Sequence, residues 1–583
     1  MVGAVLHGSA WAQDTTRVAA VPLPPPKDTT PKDTIKAPLA HGELPVLADP
    51  VGSRHWTRQQ LAAAAALTVQ DLIEHSVGGT SLHVGWFAPP MVSAFLGDAH
   101  RVRVFIDGVE MDALDPHSGG ALDLSQIPLW AMEEATVERT ATEIRVYLRS
   151  WRVDRTTPYT RTDISTGDQQ SNLYRALFGR RFSHGELLQF AVQQYGTTPE
   201  RGSSTSDQLS LFARVGAAHG KFSFDGMLVQ IGRHRGVILD RFTGDSLPSL
   251  ESTSRDAYLR AGYGDPDAGP WVQAVASSRR YTFGGGAAVA ATTTAAATPV
   301  RDTSYSRAQY VLTGGLTEWG IRLSAAERYR VGNAHSLATT SARAAYDWCR
   351  LSLSAYAEGK GPDSVSKQEG SAVLMPLGWL RLSGALGSQK DALVRDAVVT
   401  APYSRAGGEI RIHDLWLGGG VIKRGRASLA APILINDSLT RRGEEAASGV
   451  FASVQGRLWR AVYAEGSALK WSDSTGLYRP QVETREELYL DTGLPDRFPR
   501  GTFHFTVGLT HSYRSAAYFP IGGDGVERVT GYRTIGAKVQ VRVMTALLTY
   551  QLTNMLGESY TQVPGFIQPK QVSWYGIQWE FWN

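Results

Sequence analysis

From about residue 156 to its last residue the chain alternates apolar and polar side chains in short segments. In DQLSLFARVGA, Leu209, Leu211, Ala213 and Val215 oppose Gln208, Ser210 and Arg214. In TFHFTVGLTHSY, Phe503, Phe505, Val507, Leu509 and Tyr513 oppose Thr502, His504, Thr506, Gly508, Thr510 and Ser512. In TIGAKVQVRV, Ile535, Ala537, Val539, Val541 and Val543 oppose Thr534, Gly536, Lys538, Gln540 and Arg542. The closing WYGIQWEFWN places Tyr575, Ile577, Trp579 and Phe581 on one side, and Trp574, Gly576, Gln578 and Glu580 on the other. Successive side chains of a strand point to opposite faces, so a period of two denotes strands with one apolar and one polar face.

A soluble sandwich also alternates, so the number of repeats has to decide. Roughly 22 such segments fit between residues 156 and 583, at about 19 residues per strand and connection. Strands of about 10 residues tilted across a bilayer fit that spacing. The longest early apolar run, LAAAAALTV at 61–69, falls short of the roughly 20 residues a spanning helix needs. Lipid tolerates no unpaired strand edge, so the sheet has to close and the terminal strand has to pair with the first barrel strand. The expectation is an all-β membrane fold, an antiparallel barrel of about 22 strands. Tyr575, Ile577, Trp579 and Phe581 would then face lipid, and Gln578 and Glu580 the lumen. Sixty glycines, 15 tryptophans and 22 tyrosines supply turns and interfacial aromatics for such a wall. Longer connections are expected at 233–253, 284–302, 423–444 and 514–530; GGGAAVAATTTAAATPV at 284–300 is low in complexity.

The N-terminal part has a different texture. Residues 1–12 end in Ala10-Trp11-Ala12, the small-x-small form of a signal-peptide cleavage site. Residues 13–54 are a proline-rich linker with too little apolar surface to fold. Residues 55–155 read as a small mixed α/β module. WTRQQLAAAAALTVQDLIEHSV predicts one helix, with Leu61, Ala65, Val69, Leu72 and Ile73 on one face and Gly78-Gly79 as its stop. RVRVFIDGVEM predicts a strand and a tight turn at Asp107-Gly108; a short helix at 129–134 and further strands follow.

Several function classes drop out. The formal net charge is +4 with no Lys/Arg block, which argues against a nucleic-acid partner. Cys349 is the only cysteine, and the fourteen histidines show no HxxxH or HExxH spacing, so no metal site and no cofactor are expected. No GxSxG, P-loop or GxGxxG-helix motif is present, and an enzyme is not expected.

Three stretches, in order, resemble one family, the TonB-dependent outer-membrane receptors. They are LTVQDLIEHSVGG; then VRVFIDGVEM, LDLSQIP and EEATVERTATEIRVYL; and finally LTNMLGESYTQVPGFIQPKQVSWYGIQWEF. The resemblance implies a plug domain inside a 22-stranded barrel of the cell outer membrane, inserted by the barrel assembly machinery. It implies uptake of a scarce, bulky ligand: a siderophore-iron or similar chelate, cobalamin or a glycan. It also implies a TonB-like periplasmic energy-coupling protein that binds an N-terminal box by strand addition. The box candidates are Asp33, Thr34, Ile35, Lys36 and Ala37, and as a second choice Glu43-Leu44-Pro45-Val46-Leu47. His83, Trp86 and Phe87, between the plug helix and the IDG strand, are the ligand-contact candidates, with packing on the barrel wall as the competing reading. Asp107-Gly108 reads as structural, and Arg214 and Arg542 read as plug-barrel contacts. A plugged barrel that does not transport, serving as an adhesin or structural protein, is the alternative.

Overall fold

The structure is a computed structural model. It describes residues 53–582 except 65, 116–119, 199–204, 240–245, 248, 286–302, 333–335, 361–366, 393–397, 430–441, 495, 500 and 521–524. The box candidates at 33–37 and 43–47 and the segment 1–12 lie outside the described residues.

Twenty-two antiparallel strands form a closed barrel. The last strand, Val572–Trp582, pairs with the first, Tyr159–Gly167, in continuous register from Trp574↔Gly167 to Trp582↔Tyr159. No edge is left, as a wall without water around it requires. The two chain ends of the barrel lie at one end of it, where most connections are tight. Trp319-Gly320 is an example: both residues have positive φ (51° and 78°), the geometry of a two-residue hairpin turn that follows the twist of the strands. Longer loops join the strands at the opposite end. Side chains facing outward are apolar and exposed, among them Leu209, Leu211, Leu228, Leu259 and Leu312.

The barrel is filled by the N-terminal domain. Its five-stranded sheet has the order β1-β6-β7-β4-β5, with β1 Arg54–Trp56, β4 Val102–Ile106, β5 Val109–Glu110, β6 Met132–Arg139 and β7 Ile144–Ser150. β4 pairs parallel with β7, and the other pairs are antiparallel. A separate hairpin joins β2 Gly79–His83 to β3 Met91–Phe95. All of β4 is buried, on both faces, because sheet neighbours flank it and the barrel wall surrounds it. The core runs without a break from Val69, Leu72, Ile73, Val104 and Ile144 of this domain to Phe212, Ile231 and Phe451 of the wall.

Three sequence expectations need correction. The single helix over 56–77 is two: α1 Arg58–Ala64 and α2 Val69–Ile73. The Asp71 carboxylate accepts hydrogen bonds from the backbone N–H groups of Leu67 and Thr68, at 2.8 and 2.9 Å, and starts a new helix there. The helix expected at 129–134 is a 3-10 turn, Leu129–Ala131, and strand β6 begins at Met132. The long connection expected at 233–253 is shorter, 236–249, while those expected at 423–444 and 514–530 fall at 425–446 and 515–531; all three carry small hairpins that the alternation did not show: Ile238–Leu239 with Ser246–Leu247, Ala427–Leu429 with Arg442–Glu444, and Ala517–Pro520 with Val526–Val529.

Candidate functional site

The plug sits eccentrically. On one side it meets the barrel wall through buried charges. Arg103 donates to Glu110, Glu143 and Glu358 at 2.6, 3.1 and 2.8 Å. Arg145 reaches Glu369 at 2.6 Å and lies 3.8 Å over the Tyr356 ring. Arg343 of the wall bonds Glu138 of β6 at 2.7 Å, and Lys367 pairs with Glu143. Glu143 is fully buried, and although burial alone would raise its pKa, Lys367, Arg145 and Arg103 hold it well below the usual carboxylate range. Arg214 behaves as expected from the sequence: it pairs with Asp225 and donates to Ser150 Oγ of the plug at 2.7 Å. Asp107 is structural, accepting from Ser150 N–H at 3.1 Å and from the Tyr258 hydroxyl at 2.5 Å.

On the other side, against the strands from Val462–Trp471 to Val572–Trp582, lies a cavity of about 670 Å³. It reaches from Phe503 and Arg542, near the turn end, to Tyr560 and Gln562 in the loops. Arg542, expected to touch the plug, instead faces this cavity. Gln59, Ala63, Ala64 and Leu67, on α1 and just after it, line its turn-end portion. This segment is held by few polar contacts: Lys538 Nζ donates to the Ala63 carbonyl at 3.2 Å and Gln540 Nε2 to the Ala62 carbonyl at 3.3 Å. Arg58 reaches Glu580 at 3.5 Å and stands 4.4 Å over the Tyr159 ring. Above it, Glu465 of the wall pairs with Arg54 of β1 and bonds His75 Nδ1 at 3.0 Å. Burial lowers the pKa of His75 despite that carboxylate. Burial pushes Glu74 up, but Arg485 and Arg514 more than offset it, so its pKa lies below the usual value.

At the loop end the plug tip is roofed. Leu82, Val84 and Val92 of the plug pack with Leu429, Tyr478, Phe519, Val529, Val563 and Phe566 from the loops. His83, Trp86 and Phe87 all line the top of the cavity. The backbone of His83 is clamped by the last loop hairpin: its N–H donates to Gln562 Oε1 at 3.0 Å and its carbonyl accepts from Gln568 Nε2 at 2.8 Å. Trp86 Nε1 donates to Ser171 Oγ at 3.1 Å. The Phe87 ring lies 5.6 Å from Tyr195 and 5.8 Å from Trp574, and its carbonyl accepts from Tyr195 and Ser206. The candidates therefore come together, but Trp86 and Phe87 are anchored on the wall. Sequence reasoning missed the roof, because its apolar residues, which include Ile238 as well, are scattered over five connections. It also missed the Arg54–Glu465–His75 cluster, which joins positions some 400 residues apart in sequence. Among the described residues no group of His, Cys, Asp and Glu could hold a metal ion. No described helix is long and apolar enough to cross a membrane.

On the closing strand Tyr575, Ile577 and Trp579 are 55, 36 and 47% exposed on the outer wall, while Phe581 is half-buried with its ring 4.6 Å from that of Trp579.

No family model matches the sequence, and no curated protein sequence does. Solved structures match 91% of it. A mutant of the ferric enterobactin receptor PfeA from Pseudomonas aeruginosa superposes with a TM-score of 0.69 at 9% identity, covering 91% of this chain and 98% of its own. The siderophore receptor PirA from Acinetobacter baumannii gives 0.66 at 9% identity, with 91 and 98% covered. The FrpB iron transporter from Neisseria meningitidis gives 0.68 at 10% identity, with 91 and 99% covered. At such identities the likeness is one of fold: this chain has the plug-in-barrel fold of the TonB-dependent receptors.

Proposed function

We propose that the protein is an outer-membrane receptor and transporter that takes up a scarce, bulky ligand past its plug along the cavity side. A ferric siderophore or similar chelate is the first choice, because the fold neighbours are named as siderophore and iron receptors. Cobalamin and glycans are the other ligand classes. One observation carries the reading. The segment directly after the N-terminal linker is at once the three-residue edge strand β1 and, through α1, part of the cavity lining at the turn end. Pulling on the linker would strip a short edge strand first, then withdraw α1 from the cavity. Sealed on its other side by buried ion pairs, the plug would otherwise stay in place. A TonB-like periplasmic protein would pull by adding a strand of the linker to its own sheet. His83, Trp86 and Phe87 at the top of the cavity would meet ligand once the loop roof lifts.

The test is uptake in cells. Transcription profiling under iron, cobalamin or glycan limitation names the ligand class, and binding to purified receptor follows. Proline removes a donor and fixes the backbone, so Ile35→Pro is expected to abolish energised uptake while surface binding and barrel assembly persist. Loss with Val46→Pro instead would move the box to the second candidate. Unchanged uptake after deletion of residues 28–48 would favour the non-transporting adhesin or structural reading.

A further inference from the structure

The outer wall carries one arrangement that neither plug nor cavity uses. Arg255, on the strand Leu250–Asp265, and Arg280, on the neighbouring Ala268–Gly285, are direct register partners. Both side chains are exposed on the outward face. Like charges directly opposite on a sheet repel. Each guanidinium is tied sideways through Nε, Arg255 to Gln230 Oε1 at 3.0 Å and Arg280 to Ser304 Oγ at 2.9 Å. Their Nη groups have no partner among the described residues. The carboxylate of Asp256 faces the lumen, where it pairs with Arg279 at 3.3 Å. The nearest outward acid on these two strands, Glu251, lies four residues farther toward the loops, about 13 Å along the strand.

Their height is the second observation. Toward the turn end, the outward side chains below the pair are Ala257, Leu259, Ala261 and Tyr263 on one strand, and Ser278, Ala276, Ala274 and Val272 on the other. Arg255 stands ten residues from Asp265, the turn-end residue of its strand. At about 3.3 Å per residue and a tilt of about 40°, that is about 25 Å, the height of the apolar band of a membrane barrel. Tyr310 and Tyr329, outward-facing register partners on the next two strands, stand eight residues from theirs, about 20 Å up, where an aromatic girdle belongs. The arginine pair thus sits just above the girdle, at the headgroup level of the loop-side leaflet.

We propose that Arg255 and Arg280 form a binding site for the phosphate of a lipid headgroup in that leaflet. Two forked donors held side by side match phosphate oxygens, and a bound dianion would remove the repulsion between them. The site rests on the barrel lying in a bilayer and is independent of transport.

The test compares wild type with R255Q/R280Q in phosphatidylcholine nanodiscs doped with diphosphoryl lipid A or with its dephosphorylated form, read by native mass spectrometry. Wild type is expected to retain the phosphorylated lipid about tenfold more than the variant, with the dephosphorylated form held equally weakly by both. R255K/R280K, which keeps the charges but loses the forks, should fall between. Equal retention by wild type and R255Q/R280Q overturns the site. Full displacement of the lipid by millimolar inorganic phosphate overturns its assignment to a lipid. An unshifted heat-modifiable gel band confirms that the variant has assembled; if it has not, R280Q alone carries the comparison, with the same outcomes.

Discussion

The two sides of the plug are held by different physics. Against the strands from Ser206–His219 to Leu415–Arg424 it is docked by fully buried clusters in which one acid serves two or three cations, as Glu143 serves Arg103, Arg145 and Lys367. Against the strands from Val462–Trp471 to Val572–Trp582 the cavity intervenes, and contacts are fewer and wetter: the side chains of Arg485 and Glu74 are 27 and 19% exposed. Removing one partner of a buried pair strands the other charge, whereas next to a cavity water can take its place. A plug built this way has a fixed side and a side that can give.

The largest difference should appear on the fixed side. Glu143→Ala strands Lys367 in the dry interface and takes one acid each from Arg103, which keeps Glu110 and Glu358, and Arg145, which keeps Glu369; it should weaken plug docking by about 3–5 kcal/mol, read as a lower denaturant midpoint for plug protection from protease. Glu74→Ala on the cavity side should cost only about 1–2 kcal/mol, since Arg514 keeps Glu483 at 2.7 Å and Arg485 borders the cavity. Equal losses would erase the distinction between the sides.

A smaller, pH-dependent effect should sharpen it. His75 has a folded pKa below its unfolded value, so its contribution is present above about pH 6.5 and declines as pH falls toward the folded value. Glu74 is also depressed; its contribution is lost lower down, as pH falls below about 4.3 toward its folded value. Glu133 at the start of β6, raised to about 7 by burial, runs the other way: its folded form keeps a proton, and its contribution declines as pH rises from about 4.3 to 7. Amide exchange, corrected for intrinsic rate, should therefore speed up in α2 between pH 7 and 5.5 while β4 stays protected. Acceleration in β4 first would contradict the ordering.

The barrel was legible because a two-residue period survives any error in strand ends: the outward faces at Leu209, Leu211, Val215 and Leu509 fall where alternation puts them. Exceptions to that period were hidden. His511 interrupts the apolar face of its strand, and only the register with Glu486, 2.6 Å away on the next strand, explains how it is tolerated. The lumen-side Phe212 likewise breaks the polar face because it packs on the plug core. The separate start of α2 after 66–68 depends on a local cap by Asp71 that apolar periodicity does not register. The cavity was not legible at all, because it is a gap between segments hundreds of residues apart and no residue pattern encodes it. The loop that carries the ligand-contact candidates was legible as a loop, but the anchoring of Trp86 and Phe87 on Ser171, Tyr195 and Trp574 is a tertiary fact.

Release of β1 as the first step of plug opening can be tested by locking it. His55 of β1 and Thr136 of β6 are register partners with side chains 2.8 Å apart, so a His55→Cys/Thr136→Cys pair, in a Cys349→Ser background, can bridge the edge strand to the sheet. With the disulfide formed, verified by mass, the protein should still bind ligand at the cell surface but take up none, and reduction should restore uptake. Undiminished uptake with the bond intact would contradict opening through β1 and the cavity side.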